Sequence, residues 1–317
     1  MTQIQSLVAA ALIGVWWCVP GFSADTGAGV QRTASAPATV GQAYPGLASG
    51  ALTHARLADL PEGILLKSGE ITVSEKDIAA VGTDAPTKLR EQLTKNAFFV
   101  LEHVAAPKLL LAIAKQDAAR AHRDIVKATD REVVDGYLKG ALDSVQVSDE
   151  EVTAFYDQNK SMFSGAKLDS VKAQLAQYLR QQKQQEAFRS LVESLGQKMA
   201  IEVSASWVKA QSVLSRDNPV DKARLSGKPT MVDFGRDGCG PCDMMTPILA
   251  TLKKKYDGKA NVLFVHVGEE EILGMRYGIE SIPVQVFFDK DGKEVFRHTG
   301  FFPQEEVEKK LAEMGVK

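Results

Sequence analysis

Cysteine is nearly absent: Cys18, Cys239 and Cys242 are the only three in 317 residues. So few thiols exclude a framework of structural disulfides, and the two late ones stand as a pair three positions apart. An excess of positive charge is also missing. Thirty-eight Lys and Arg face forty Asp and Glu, for a formal charge of −2 with the signs interspersed, which argues against a nucleic-acid partner. Finally, no Lys or Arg precedes Arg32. The apolar run Leu7–Val19 therefore has no cationic flank, yet with Pro20-Gly21-Phe22-Ser23-Ala24 behind it the segment reads as a secretory signal cleaved after Ser23 or Ala24. The run is short of the ~20 residues that a membrane-spanning helix needs. Cys18 falls in the discarded piece, and the expected location is periplasmic or secreted.

What is present centres on Cys239-Gly240-Pro241-Cys242. It follows the apolar run Pro229–Phe234 and opens a helical pattern, so the pair is carried to a helix N-terminus. There, free backbone N–H groups and the helix dipole favour a thiolate on the first cysteine, and the two-residue spacer lets the second close a disulfide on it. Half of a zinc site is the other reading of such a pair. No second cysteine pair exists, and the later His266 and His298 lie on predicted strands without ligand spacing. Asp233, in the middle of an apolar strand, is costly unless paired or protonated and so asks for a role; a strand-end Asp capping a nearby amide is the plainer alternative.

Residues 222–317 resemble the thioredoxin family over the whole domain length. The resemblance rests on Val232-Asp233-Phe234, the C-G-P-C motif, Pro247 in the following helix, Tyr277-Gly278-Ile279-Glu280-Ser281-Ile282-Pro283, and Gly300. It implies an α/β thioredoxin fold in which Pro283 is a cis-proline beside the dithiol. Cys239 becomes the exposed nucleophile, Cys242 the buried resolving thiol, and Asp233 the carboxylate that exchanges a proton with Cys242. Gly240, Pro241, Ile282 and Pro283 would meet the substrate, and no cofactor beyond the redox-active Cys239–Cys242 disulfide is implied. Three positions depart from the family. Gly238 and Gly235 stand where tryptophans are usual, which removes flat apolar surface around the dithiol, and Phe264 takes the place of a lysine often found near the buried Asp. Without that cation the pKa of Asp233 is expected to be higher still. Strands are expected near 229–235, 261–267, 284–288 and 294–299, the last two joined by a turn at Asp289-Lys290-Asp291-Gly292.

The chain in front divides by composition. Residues 25–50 are rich in small residues and read as a flexible spacer in which no core can form. From 51 to 203 the pattern is mostly helical, with stripes such as Leu101, Val104, Leu109 and Ile113, and with capping-box signals at Ser148-Asp149-Glu150-Glu151. This part resembles the helical chaperone module of the SurA and parvulin-type prolyl isomerases, through Gly69–Ser74, Val147–Val152 with Tyr156, Asn159 and Phe163, and the long Gln/Lys-rich helix at 168–195. Only Ser164–Lys167 stands where those proteins insert the isomerase domain, so no isomerase activity is expected. Phe98-Phe99 and Met162-Phe163 are either client contacts or core, and Gln181–Gln185 reads as an exposed helix face. Residues 204–221 read as a partly ordered linker.

The whole is a multidomain chain, a mostly α-helical N-terminal domain followed by the α/β domain. Its leading functional reading is an exported thiol–disulfide oxidoreductase that reduces disulfides of proteins or partner redox proteins. The alternatives are a polypeptide-holding chaperone with an accessory redox domain and a disulfide isomerase. A reductant in an oxidising compartment further implies a membrane electron donor of the DsbD or CcdA kind. The sequence leaves the client and the oligomeric state open.

Overall fold

The computed structural model describes residues 38–158, 160–163 and 165–317. The expected signal at 1–24, the first half of the spacer and Asn159 lie outside the described residues, as does the side chain of Met162. Residues Pro37–Lys317 form one compact unit.

Its elements run α1 (Val40–Ala43), a 3-10 turn (Ala51–His54), β1 (Arg56–Ala58), β2 (Ile64–Ser68), β3 (Ile71–Ser74), α2 (Glu75–Ala79), α3 (Thr87–Lys95), α4 (Ala97–Arg120), α5 (Asp130–Leu142), α6 (Asp149–Gln158), a second 3-10 turn (Lys160–Phe163) and α7 (Leu168–Lys198). Then come β4 (Glu202–Ser204), α8 (Ala205–Leu214), α9 (Pro219–Arg224), β5 (Thr230–Gly235), α10 (Gly240–Lys255), β6 (Asn261–His266), α11 (Glu271–Arg276), β7 (Val284–Phe288), β8 (Glu294–Thr299) and α12 (Gln304–Glu313).

Helix α4 is the centre of the first half. It is long and apolar enough to cross a membrane, but Phe98, Leu101, Leu109 and Ile113 are buried in a core shared with Leu65, Leu66, Val203 and Leu195. A small sheet ordered β1-β4-β2-β3 closes this core. The sheet was not expected: its strands are three to five residues long, and β1 pairs with β4 across most of the helical region. Two further expectations are corrected. The spacer does not extend to residue 50, because Val40 and Leu47 are buried in the core; they and Tyr44 are the few large side chains in a stretch of small ones, and they suffice to dock it. The linker at 204–221 is largely helical, and Val208 and Val220 within it are buried.

The 3-10 turn at Ala51–His54 rests on α7 at Gly196. A Cβ there would collide with the Ala51 carbonyl oxygen and come within 2.9 Å of its carbon. Backbone cannot step aside as a side-chain tip can, so Gly196→Ala should cost about 1–3 kcal/mol of stability in urea unfolding. An unchanged midpoint would show that the turn is not held against α7.

The second sheet has the order β6-β5-β7-β8, with β5 parallel to β6 and antiparallel to β7, and β7 antiparallel to β8. This is the α/β arrangement that the resemblance implies, with the hairpin at 289–292 in place. Side chains alternate across β5. Met231 packs with α10 and α12 on one face, while Val232 and Phe234 pack with Val220 and Leu273 on the other.

Polar contacts tie this sheet to the helical region. Asp221, fully buried, receives Arg224 Nε at 2.6 Å, Arg276 Nη2 at 3.2 Å, Asn218 Nδ2 at 2.6 Å and the Tyr277 hydroxyl at 3.0 Å. Burial pushes its carboxyl up, but Arg276 and Arg224 outweigh burial and hold it below the ordinary aspartate value. Arg276 also donates to Asn96 Oδ1, between α3 and α4, and to the Ser215 carbonyl after α8. Close by, the amide of Gln92 donates to the Glu269 carbonyl at 2.6 Å and accepts from the Ile272 N–H at 3.1 Å. Helix α11, whose own N-cap residue makes no side-chain cap, is capped from α3.

Candidate active site

Strand β5 delivers the chain to the site. After Gly235 a three-residue loop leads to Cys239, the N-cap residue of α10, and Cys239 and Cys242 are joined as a disulfide with their Cα atoms 5.2 Å apart. Cys239 is half-buried and Cys242 buried, with Gly240 and Pro241 exposed between them. The first sulfur therefore meets solvent at a helix N-terminus while the second is withdrawn beneath it.

Gly235 explains the withdrawal. A Cβ on it would lie 3.4 Å from both Cβ and Sγ of Cys242 and 3.0 Å from the ring of Phe264. The glycine leaves the space that Cys242 and Phe264 occupy, so the tryptophan usual in the family has no room here. Phe264 is half-exposed, at 47 %. An aromatic from the neighbouring strand thus restores part of the apolar surface that the two glycines were expected to remove.

Asp233 lies two residues before Gly235 and on the same face of β5, the face covered by α10. It is fully buried, and its register partners are Phe264 on β6 and Gln285 on β7. Gln285 Nε2 donates to Asp233 Oδ1 at 2.7 Å, while Oδ2 has no hydrogen-bond partner among the described residues. Burial pushes the carboxyl up to about 6, the Gln285 hydrogen bond working against it. No cation offsets the burial, because the register partner is Phe264. A carboxyl that titrates near neutrality with one free oxygen can take up and release a proton.

The peptide bond Ile282–Pro283 is cis. Val284 pairs with Phe234, so Pro283 stands at the end of β7 next to the end of β5, where the loop to Cys239 begins. Pro283 is buried and Ile282 half-buried. Every expected site residue is thereby brought to one end of the sheet. Sequence reasoning missed His266, which pairs with Gly235; its Nε2 lies 3.5 Å from the Asp237 amide nitrogen and 3.7 Å from the Asp237 carboxylate, within the loop before Cys239. Judged only as a metal ligand, it fails; its strand register was the signal. Of the paired aromatics in the helical region, Phe98 is core and Phe99 half-buried, while Phe163 stacks on Tyr156 at 5.1 Å.

Comparison with known proteins bears on this site. A family model described as a thioredoxin-like domain matches residues 217–315. The thioredoxin of Staphylococcus saprophyticus is 42 % identical over 77 residues, 24 % of this chain and 73 % of the relative. That of Staphylococcus epidermidis is 41 % identical over 85 residues, 27 % of this chain and 81 % of the relative. The crystal structure of thioredoxin NaTrxh from Nicotiana alata is 28 % identical, covering 30 % of this chain and 80 % of its own, with a TM-score of 0.28. A C-x-x-C pair within such a domain makes the protein a protein-disulfide oxidoreductase. Through its C-terminal domain, the chain belongs to the thioredoxin family.

Proposed function

We propose that the protein is an exported reductant of disulfides in polypeptides or partner redox proteins. The observation that carries the reading is the buried Cys242 under a half-exposed Cys239, on the same sheet face as a carboxyl that titrates near neutrality. In the reduced form, the Cys239 thiolate attacks a substrate disulfide, forming a mixed disulfide and releasing one substrate thiolate. Cys242 passes its proton to Asp233 and attacks the Cys239 sulfur. The second substrate thiol leaves, and the Cys239–Cys242 disulfide closes: the substrate has gained two electrons and the protein has lost them. Ile282 and Pro283, with Gly240 and Pro241, offer the surface on which the substrate strand lies.

Export rests on the Leu7–Val19 run and the small residues after it, and the membrane donor of the DsbD or CcdA kind on the need to re-reduce the dithiol outside the cytosol. The SurA-like pattern of the helical region favours polypeptides over small disulfides as clients. The Gly-Pro spacer, shared with thioredoxin, places the couple toward the reducing end.

Equilibration of the couple with dithiothreitol or glutathione tests the direction. A potential near or below about −220 mV is expected, toward the ~−270 mV of thioredoxin; one above about −180 mV would move the assignment to oxidation or isomerisation. Cys239→Ser should abolish disulfide reduction altogether. If a chaperone with an accessory redox domain were the better reading, that variant would still suppress client aggregation as its main activity.

A further inference from the structure

A cleft lies between the segment that flanks the cis-proline and helix α7. At its near end are Ser281 and Val284, which flank Ile282–Pro283, and facing them on α7 are Gln181, Gln182 and Gln185. Gln185, Arg189 and Glu280 line both this cleft and a second hollow of about 480 Å³ between α4, α5 and α7. The walls of that hollow are mainly apolar, among them Phe99, Ala106, Leu110, Val134 and Phe188. Its volume is that of sites which enclose an apolar group. The glutamine face, exposed at Gln181, Gln184 and Gln185 as expected, thus borders a cleft that reaches Ser281 and Val284 beside the cis-proline and shares Gln185, Arg189 and Glu280 with the hollow.

The chemistry of the two linings differs. Glutamine side chains carry both a donor and an acceptor, the complement of a peptide unit and indifferent to sequence. Two carboxyls line the hollow beyond: Glu280 stands with Arg189 at the mouth shared with the cleft, and Glu102 lies deeper, its oxygens already engaged by the Ser49 N–H and hydroxyl and by the Gly50 N–H, at 3.1–3.3 Å. Burial pushes Glu102 up to about 7, against those hydrogen bonds. A polar wall leads to a mainly apolar hollow in which Glu102 is already hydrogen-bonded and the charged pair at the mouth, Glu280 and Arg189, is of opposite sign, which suits neither a free anion nor a free cation. It suits an extended chain with a large apolar side chain at its end.

We propose that the helical region supplies a specificity subsite of the reductase: a client polypeptide whose disulfide lies at Cys239 runs along the glutamine face of α7 and seats a large apolar side chain in the hollow between α4, α5 and α7. This rests on the reductase reading above and adds the client class, extended polypeptide with an apolar residue near the target cysteine. The alternative occupant is a second copy of the chain, which the test separates.

The test uses the full chain and disulfide-linked peptides carrying Phe at positions about two to eight residues from the cysteine, a span that an extended strand covers at roughly 3.3 Å per residue. Each is compared with its Ala counterpart. At the best position kcat/KM should favour Phe by roughly ten- to a hundredfold, the worth of burying one aromatic side chain. Ala106→Trp, which fills the hollow, should bring the ratio close to one. Phe188→Ser, at a residue 41 % exposed and so harmless to folding, should lower it severalfold. Equal turnover of the Phe and Ala peptides at every position overturns the subsite, as does a ratio unmoved by both variants. A loss of self-association in Ala106→Trp with the peptide preference intact overturns it in favour of a second copy. Failure of the wild type to reduce the peptides and a small aromatic disulfide alike is a different result, and refutes the reductase reading itself.

Discussion

Asp221→Ala is expected to lower the unfolding free energy by about 3–5 kcal/mol. The carboxylate is fully buried and gathers Arg224, Arg276, Asn218 and Tyr277. Removing it leaves two guanidinium groups with little water to turn to, since the side chains of Arg224 and Arg276 are only 10 % and 7 % exposed. The loss should spread beyond the C-terminal sheet, because Arg276 also holds Asn96 and the Ser215 carbonyl. Urea unfolding followed by the fluorescence of Trp207 in α8 and by far-UV circular dichroism should show both signals moving together to a lower midpoint. Asp221→Asn, which keeps the volume and an acceptor, should cost less. Its deficit should persist across neutral pH and close only in acid: a carboxylate held below its unfolded value of 3.8 stabilises the fold above that value, and this contribution is lost as pH falls through the folded pKa. A midpoint for Asp221→Ala within experimental error of wild type would remove the cluster from the account of how the two regions are held.

Asp233→Asn is expected to act with opposite signs on stability and on turnover. Burial raises this carboxyl from 3.8 to about 6. The folded state therefore holds the proton over a range where the unfolded chain has lost it. The associated stability is fully present below about pH 4 and is gone once pH has risen through 6, a difference of roughly 3 kcal/mol. Asparagine has nothing to ionise, so at pH 8 the variant should be the more stable protein by up to that amount, and the two curves should converge in acid. Turnover should fall about 100-fold or more, the usual worth of a positioned proton acceptor, and the mixed disulfide with substrate should accumulate because Cys242 has nowhere to send its proton. A variant whose stability follows the same pH curve as wild type would show that Asp233 is not the group titrating near neutrality.

The redox half of the protein was readable because its signals are local. The β5 run, the C-G-P-C motif at a helix start and the Asp289–Gly292 turn each fall within a few residues, and their order is specific. What escaped depends on partners far along the chain. The β1–β4 pair joins Arg56 to Glu202, and strands of three residues leave too little alternation to detect. Val40 and Leu47 stand alone among small residues, and only the core around α4 reveals them as anchors. Gln185 and Glu102 read as ordinary polar residues on helices, and the first gains its place only when α7 comes to face the loop at 280–284. Phe264 was identified as a departure, but that its ring would take the space above Gly235 belongs to the register of two strands.

The cap that Gln92 places on α11 bears on modularity. Thioredoxin relatives match only the last third of this chain, which invites excision of that third as a free-standing unit. Here the start of α11 borrows its closing hydrogen bonds from a side chain 177 to 180 positions earlier, and α11 ends in the arginine that reaches Asn96. The redox domain has thus become structurally indebted to the helices in front of it. Cut loose at residue 217, it would keep its motif but lose the groups that finish α11, just ahead of the cis-proline loop. The fusion is a joint structure rather than a tether, and transplanting either half into another chain means rebuilding that corner.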